Sequence, residues 1–281
     1  MRKLRRSARL VDMTQHLLAH PHTLIPLTFF SDEYGSAKSS ISEDLSIIKE
    51  AFESQGIGDL RTVAGAAGGV KYIPKTTLEH AIFFMENLIL ELASPERLLP
   101  GGYLYMSDVL GDPKTLNHIG KLFASAFAHS DVDVVMTVEA KGIPLAYATA
   151  SYLNVPVVIV RRNSMVTEGS VVSINYVSGS SKRIQTMSLA RRALPESSRV
   201  LIVDDFMKAG GTIQGMMDLL QEFKATVVGC GVFVETADDD DRLVEDYVSL
   251  AKLQEVDVKE KQIMIELGSY FSRKEGEDDH A

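Results

Sequence analysis

The apolar run Val200-Leu-Ile-Val is followed at once by two carboxylates, Asp204 and Asp205, then by Phe206, Met207, Lys208 and Ala209, then by Gly210-Gly211-Thr212. Glycines let a backbone close around a phosphate, and a helix starting there adds unpaired amides and a favourable dipole. Adjacent carboxylates suit ribose hydroxyls or a hydrated divalent cation such as Mg2+. The spacing is not that of a Walker A loop, because G-x-x-x-x-G-K-[ST] is missing. The plain alternative is a strand-to-helix turn with structural acids, although two buried carboxylates are costly without a ligand or cation.

Elements of alternating type must position this loop. A long apolar helix is predicted over 78–92, then a strand at 103–106, a helix at 116–128, a strand at 132–138 and a helix at 144–153. Strands follow at 155–160 and 200–203, a helix at 213–223 and a strand at 226–234. Bare Val/Ile runs are the mark of strands buried on both faces of a parallel sheet. Such a doubly wound α/β domain takes its ligand at the C-terminal ends of the strands.

The first 74 residues read differently. Leu10, Val11, Leu17 and Leu18 place a first helix over 5–18, and Pro21 and Pro26 stop it. A short segment, 27–34, ends at Gly35, and Ser40 with Glu43 form an S-x-x-E capping box for a further helix. Ile41, Leu45, Ile48 and Phe52 give that helix one apolar stripe. Two β-rich runs, 60–63 and 70–73, joined by a glycine-rich loop, predict a hairpin. This is the order of a winged helix-turn-helix, whose capped helix enters the major groove of DNA. Lys38, Ser39, Ser40 and Ser42 then face bases or phosphates, while Lys71 on the wing and Arg2, Lys3, Arg5, Arg6 and Arg9 reach phosphates. The alternative is a three-helix accessory domain whose polar face is only solvated.

The net charge of −9 over 281 residues taken whole opposes a nucleic-acid partner, but it is unevenly placed. Residues 1–75 hold ten Lys/Arg and eight Asp/Glu, a net of +2, which leaves −11 for the rest. With 45% hydrophobic and 24% charged residues the composition is that of a folded globular protein. No apolar run approaches a membrane span, no apolar stretch follows the basic N-terminus as in a secretory signal, and one cysteine, Cys230, suits a reducing compartment. His20 and His22 have no further ligands near them in sequence, and the acids at 238–241 read as a solvated run, so no metal site is expected there.

Residues 200–212 resemble the phosphoribosyl-pyrophosphate (PRPP) binding motif of type I phosphoribosyltransferases. The segment 139–143 looks like that family's pyrophosphate loop, which brings in Ala140 and Lys141, and 161–183 like its hood, which brings in Arg161 and Arg162. Tyr103, behind Gly101-Gly102, either serves a ligand base or phosphate near the hood or fills the core. Joined to a winged helix, the chain is similar to the purine operon repressors of Gram-positive bacteria. The fold class implied is α/β, an N-terminal winged helix-turn-helix (1–74) followed by a type I phosphoribosyltransferase-like domain (75–281).

The resemblance implies a cytoplasmic homodimer that represses purine biosynthesis genes on double-stranded operator DNA and is relieved by PRPP. Guanosine tetraphosphate, which also presents a pyrophosphate on ribose, is a second candidate effector. No cofactor is required, although PRPP can bring Mg2+. One departure bears on catalysis. Active transferases commonly place a small residue and then Thr or Ser before Gly-Gly, where this chain has Lys208 and Ala209. The hydroxyl for the 5′-phosphate is lost, Lys208 offers charge instead, and binding without turnover is expected. An active purine transferase with an N-terminal dimerisation module is the competing reading.

Overall fold

The computed structural model describes residues 4–65, 68–162, 166–177, 183–237 and 242–272. Arg2, Lys3 and the acidic run 238–241 lie outside the described residues. Two compact units emerge: Met1–Thr77 with Tyr152–Asn154, and Leu78–Ser151 with Val155–Ala281.

The first unit contains α1 (Arg6–Ala19), β1 (Leu24–Pro26), α2 (Leu27–Tyr34), α3 (Lys38–Ser54), β2 (Gly58–Val63) and β3 (Gly69–Pro74). Helix α1 buries Met13 and Leu17, with Leu10 packed beside them, whereas Val11 is 69% and Leu18 43% exposed. The expected apolar face was therefore misplaced: positions 10, 13 and 17 form the inward row at helical spacing, and 11 and 18 fall on its outer flank. Helix α2 ends where expected, at Gly35 in the left-handed region with φ 56°. Helix α3 begins at Lys38, before the predicted cap. Its N-cap is Ala37 with no side-chain bond, and the Ala37 carbonyl accepts from Ile41 N–H at 3.1 Å. Ser40 thus lies inside the first turn, and the expected capping box does not form. The stripe Ile41, Leu45, Ile48 and Phe52 is buried as its spacing requires. Strands β2 and β3 form the hairpin, and β1, absent from the sequence reading, adds antiparallel to β3 in the order β1-β3-β2.

The second unit begins with α4 (Leu78–Leu92) and continues with β4 (Leu98–Leu99), β5 (Tyr103–Leu104), α5 (Pro113–Ala126), β6 (Val134–Val138), α6 (Gly142–Leu153) and β7 (Val157–Val160). It is completed by β8 (Val171–Val177), β9 (Ile184–Ala190), β10 (Arg199–Met207), α7 (Gly211–Glu222), β11 (Thr226–Thr236), β12 (Val248–Asp257) and β13 (Gln262–Leu267). The main sheet has the order β13-β12-β11-β10-β6-β7, parallel throughout except for the antiparallel edge strand β13. Strands β6 and β10 are adjacent interior strands, largely apolar and buried, as sheets covered on both sides require. From β6 the chain proceeds to β7 on one side, and from β10 to β11 and β12 on the other. That reversal opens a crevice beyond the C-terminal ends of β6 and β10.

Several expectations are corrected. Strand β10 does not end before the carboxylates but runs through Asp204 and Asp205 to Met207, because β11 pairs alongside it as far as Met207↔Glu235. The strand expected at 103–106 is only two residues long and pairs with β4 outside the main sheet. The stretch 161–183, taken as a hood loop, contains β8, which pairs antiparallel with β9 just beyond it, from Val171↔Ala190 to Val177↔Ile184. Strands β12 and β13 were not anticipated. Among the described residues, no helix is long and apolar enough to cross a membrane.

Candidate functional site

The crevice is a cleft of about 170 Å³. Val138, Ala140 and Arg162 border it on one side, and the continuous run from Asp204 to Ile213 on the other. Strand β10 delivers both carboxylates and α7 delivers its N-terminus. Gly210 caps that helix at φ 84° with no side-chain bond, and its carbonyl accepts from Gln214 N–H at 2.8 Å. A left-handed N-cap without a capping side chain leaves the first-turn amides directed at whatever occupies the cleft, which favours an anion. Met207 points its side chain into the core, so only its backbone serves the loop, while Lys208 is exposed and Ala209 buried.

Asp204 is 4% exposed and its Oδ1 accepts from Asp205 N–H at 3.0 Å. Burial, then the charge of Asp205, pushes its carboxyl well above the usual carboxylate range, with Arg162 pulling weakly the other way. Asp205 is also raised by burial, and Lys141 opposes that shift. Positive charge beside the pair would offset the cost of placing two carboxylates here. Beside it, Thr137 Oγ1 is buried with no hydrogen-bond partner among the described residues. A Cβ on Gly142 would lie 2.7 Å from Thr137 Oγ1 and 2.9 Å from Asp204 Oδ1, so only glycine lets the 139–142 turn approach the carboxylates this closely.

Not every predicted ligand residue reaches the cleft. Arg162 borders it, and Lys141 acts on Asp205 from an exposed position. Arg161 is committed elsewhere: Nη1 donates to Glu139 at 2.8 Å and Nε to Glu168 at 3.0 Å, while its backbone bridges to Ser188. It ties the loop after β6 to the β8–β9 hairpin rather than lining the cleft. Tyr103 is 67% exposed and does not line the cleft, which also removes the core reading. Sequence reasoning placed Gly142 in the 139–143 loop without its close approach to Asp204, and it missed Thr137, which sits inside an apolar strand with no local signal.

In the first unit, Lys38, Ser39 and Ser42 are exposed along the start of α3, Ser40 is half-buried, and Lys71 is half-buried on the wing. Arg5 and Arg6 are exposed at the start of α1. Arg9 departs from the expected phosphate contact. Its Nε donates to Asp44 at 2.5 Å and its Nη1 to Ser36 at 2.9 Å, and its side chain is 11% exposed. Asp44, wholly buried on α3, also accepts from Arg6 Nε at 2.9 Å. These bonds dock α3 on α1. The ordinary reading of a basic terminus could not separate Arg9 from Arg5, because its partner lies 35 residues away.

A winged helix-turn-helix unit and a phosphoribosyltransferase fold, in one chain, define a transcription regulator built on a transferase-like fold. Family models agree with this division: "Bacterial purine repressor, N-terminal" matches residues 5–74 and "Phosphoribosyl transferase domain" matches residues 106–267. The purine biosynthesis transcriptional repressor PurR of Bacillus subtilis (strain 168) is 65% identical over 269 residues, covering 96% of this chain and 94% of that protein. The purine biosynthesis transcriptional activator PurR of Lactococcus lactis subsp. lactis (strain IL1403) is 45% identical over 271 residues, covering 96% of this chain and 100% of that one. Among solved structures, an adenine phosphoribosyltransferase from Thermoanaerobacter pseudethanolicus matches 60% of this chain and 99% of its own, with TM-score 0.52 and 24% identity, a likeness of fold. The chain belongs to the bacterial purine repressor family.

Proposed function

We propose that the protein is a cytoplasmic, homodimeric repressor of purine biosynthesis genes that binds double-stranded operator DNA through its first unit. PRPP binds the second unit without turnover and weakens the grip on DNA. The observation that carries the effector reading is the left-handed start of α7 at Gly210, which has no capping side chain, set beside the buried Asp204 and half-buried Asp205, both with raised pKa. Amides of that loop take the 5′-phosphate, and Lys208 adds charge where Ala209 supplies no hydroxyl. The backbone of Ala140 and Lys141, close to the carboxylates because Gly142 permits it, takes the pyrophosphate. Asp204 and Asp205 take the ribose hydroxyls. Their raised pKa values and the unpartnered Thr137 hydroxyl also fit a hydrated Mg2+ arriving with the pyrophosphate, which would supply charge neutralisation there.

Guanosine tetraphosphate presents the same pyrophosphate-on-ribose chemistry and would compete for the same loops. The sign of regulation follows the 65% identical relative, named a repressor, rather than the 45% identical one, named an activator. Loss of the loop hydroxyl at Ala209 favours sensing over transfer. Incubation with PRPP and adenine, guanine, hypoxanthine or xanthine, followed by pyrophosphate detection, tests this. No release above background is expected, and robust release with any base overturns it.

A further inference from the structure

We infer that a buried polar knot on β11, Glu235 with Arg242, Tyr247 and Ser249, is a strut that holds the phosphate loop in its binding shape, which makes these four the positioning residues of the effector site. The inference rests on the PRPP reading for its functional consequence. Glu235 is 5% exposed and pairs in register with Met207, so it lies beside the strand end from which the loop departs. Its Oε2 accepts from Arg242 Nη1 at 2.6 Å and from Tyr247 Oη at 2.5 Å, and its Oε1 accepts from Ser249 Oγ at 2.6 Å. Arg242 also donates from Nη2 to the Thr236 carbonyl at 2.5 Å, and its guanidinium lies 5.4 Å from the centre of the Tyr247 ring.

The two residues that follow Arg242 grip the loop directly. Leu243 N–H donates to the Ala209 carbonyl at 2.9 Å. Val244, 4% exposed, stands against Gly210, where a Cβ would come within 3.1 Å of its Cγ2. Arg242 and Tyr247, on either side of this grip, are both fastened to one carboxylate. None of the four knot residues borders the cleft. Their effect on ligand therefore passes through the conformation of residues 208–210. A loop already held in shape spares the ligand the loss of freedom that ordering it would demand.

The test compares wild type with Glu235→Gln and Tyr247→Phe, reading PRPP affinity by calorimetry and amide hydrogen exchange in the ligand-free chain. Glu235→Gln withdraws the charge that holds Arg242. Tyr247→Phe removes one donor and keeps the ring under the guanidinium. Exchange at Gln214 and Leu243, whose amides donate to the Gly210 and Ala209 carbonyls, should accelerate by about tenfold or more, with β6 exchanging at the wild-type rate, and PRPP affinity should fall by about five- to twentyfold. Tyr247→Phe should shift both readouts less, in the same direction, and it carries the test if Glu235→Gln does not fold. A lower melting temperature with wild-type loop exchange and wild-type PRPP affinity would make the knot merely structural and overturn the inference. If wild type itself shows no PRPP binding, the effector reading fails alone. The exchange data still decide the strut, since unchanged exchange at Gln214 and Leu243 overturns it.

Discussion

Asp204 carries the sharpest consequence at the scale of single residues. Its carboxyl is raised in the folded chain by burial and by Asp205, so folding takes up a proton. Its contribution to stability is complete below the ordinary carboxylate range and is lost as pH rises through the folded value. Asp204→Asn should therefore raise the melting temperature of the ligand-free chain more at pH 8 than at pH 5, by about 2–4 °C for each ~1 kcal/mol relieved. A gain independent of pH, measured by scanning calorimetry, would count against this account. The two arginines separate in the opposite sense. Arg9→Ala strands a wholly buried Asp44 with Arg6 as its remaining cation and should cost about 3 kcal/mol of stability in denaturant titration. Arg5→Ala should leave stability alone and reduce the salt dependence of DNA binding by about one counterion. Equal destabilisation by both would refute the distinction. Asp204 was legible from its neighbours in sequence, whereas the role of Arg9 was not, because burial and a distant partner decide it.

At the scale of elements, the turn from β10 into α7 concentrates the argument. Gly210 has φ 84° and Val244 packed against it, so Gly210→Ala meets both backbone strain and contact. It should cost about 1–2 kcal/mol in stability and weaken PRPP binding, as calorimetry would register. Unchanged PRPP affinity would mean that the loop shape is not the binding determinant. The sequence pattern placed this turn, α4 and strands β6 and β10, because bare Val/Ile runs and glycines signal them locally. It stopped β10 at Val203 because two acids break an apolar run, yet β11 keeps pairing beyond them. Strands β8 and β9 alternate: Val172, Tyr176, Met187 and Leu189 are buried in the core while Ser173 and Asn175 are exposed, and the Ser- and Thr-containing stretch was read as a loop despite that alternation. Ser40 and Glu43 had the spacing of a capping box, but the helix starts earlier, on the Ala37 carbonyl. Tertiary pairing and docking decided the first and last of these, and neither is written in a short window.

At the scale of the molecule, the uneven charge gives the account its logic: a net of +2 in the first 75 residues and −11 in the remainder. Basic side chains of the first unit can neutralise phosphates while the acidic second unit contributes none of that attraction. Regulation then requires PRPP to bind the DNA-free form better than the DNA-bound form, and DNA must lower PRPP affinity by the same factor. A tenfold effect corresponds to about 1.4 kcal/mol of coupling. The most direct test is a titration of operator DNA at fixed salt, with and without PRPP, using wild type and the double variant Asp204→Ala, Asp205→Ala. The account predicts that PRPP weakens DNA binding by wild type, while the double variant binds DNA with wild-type affinity and ignores PRPP. Wild-type affinity for DNA that stays constant as PRPP is raised, or an equal response in the double variant, would contradict it.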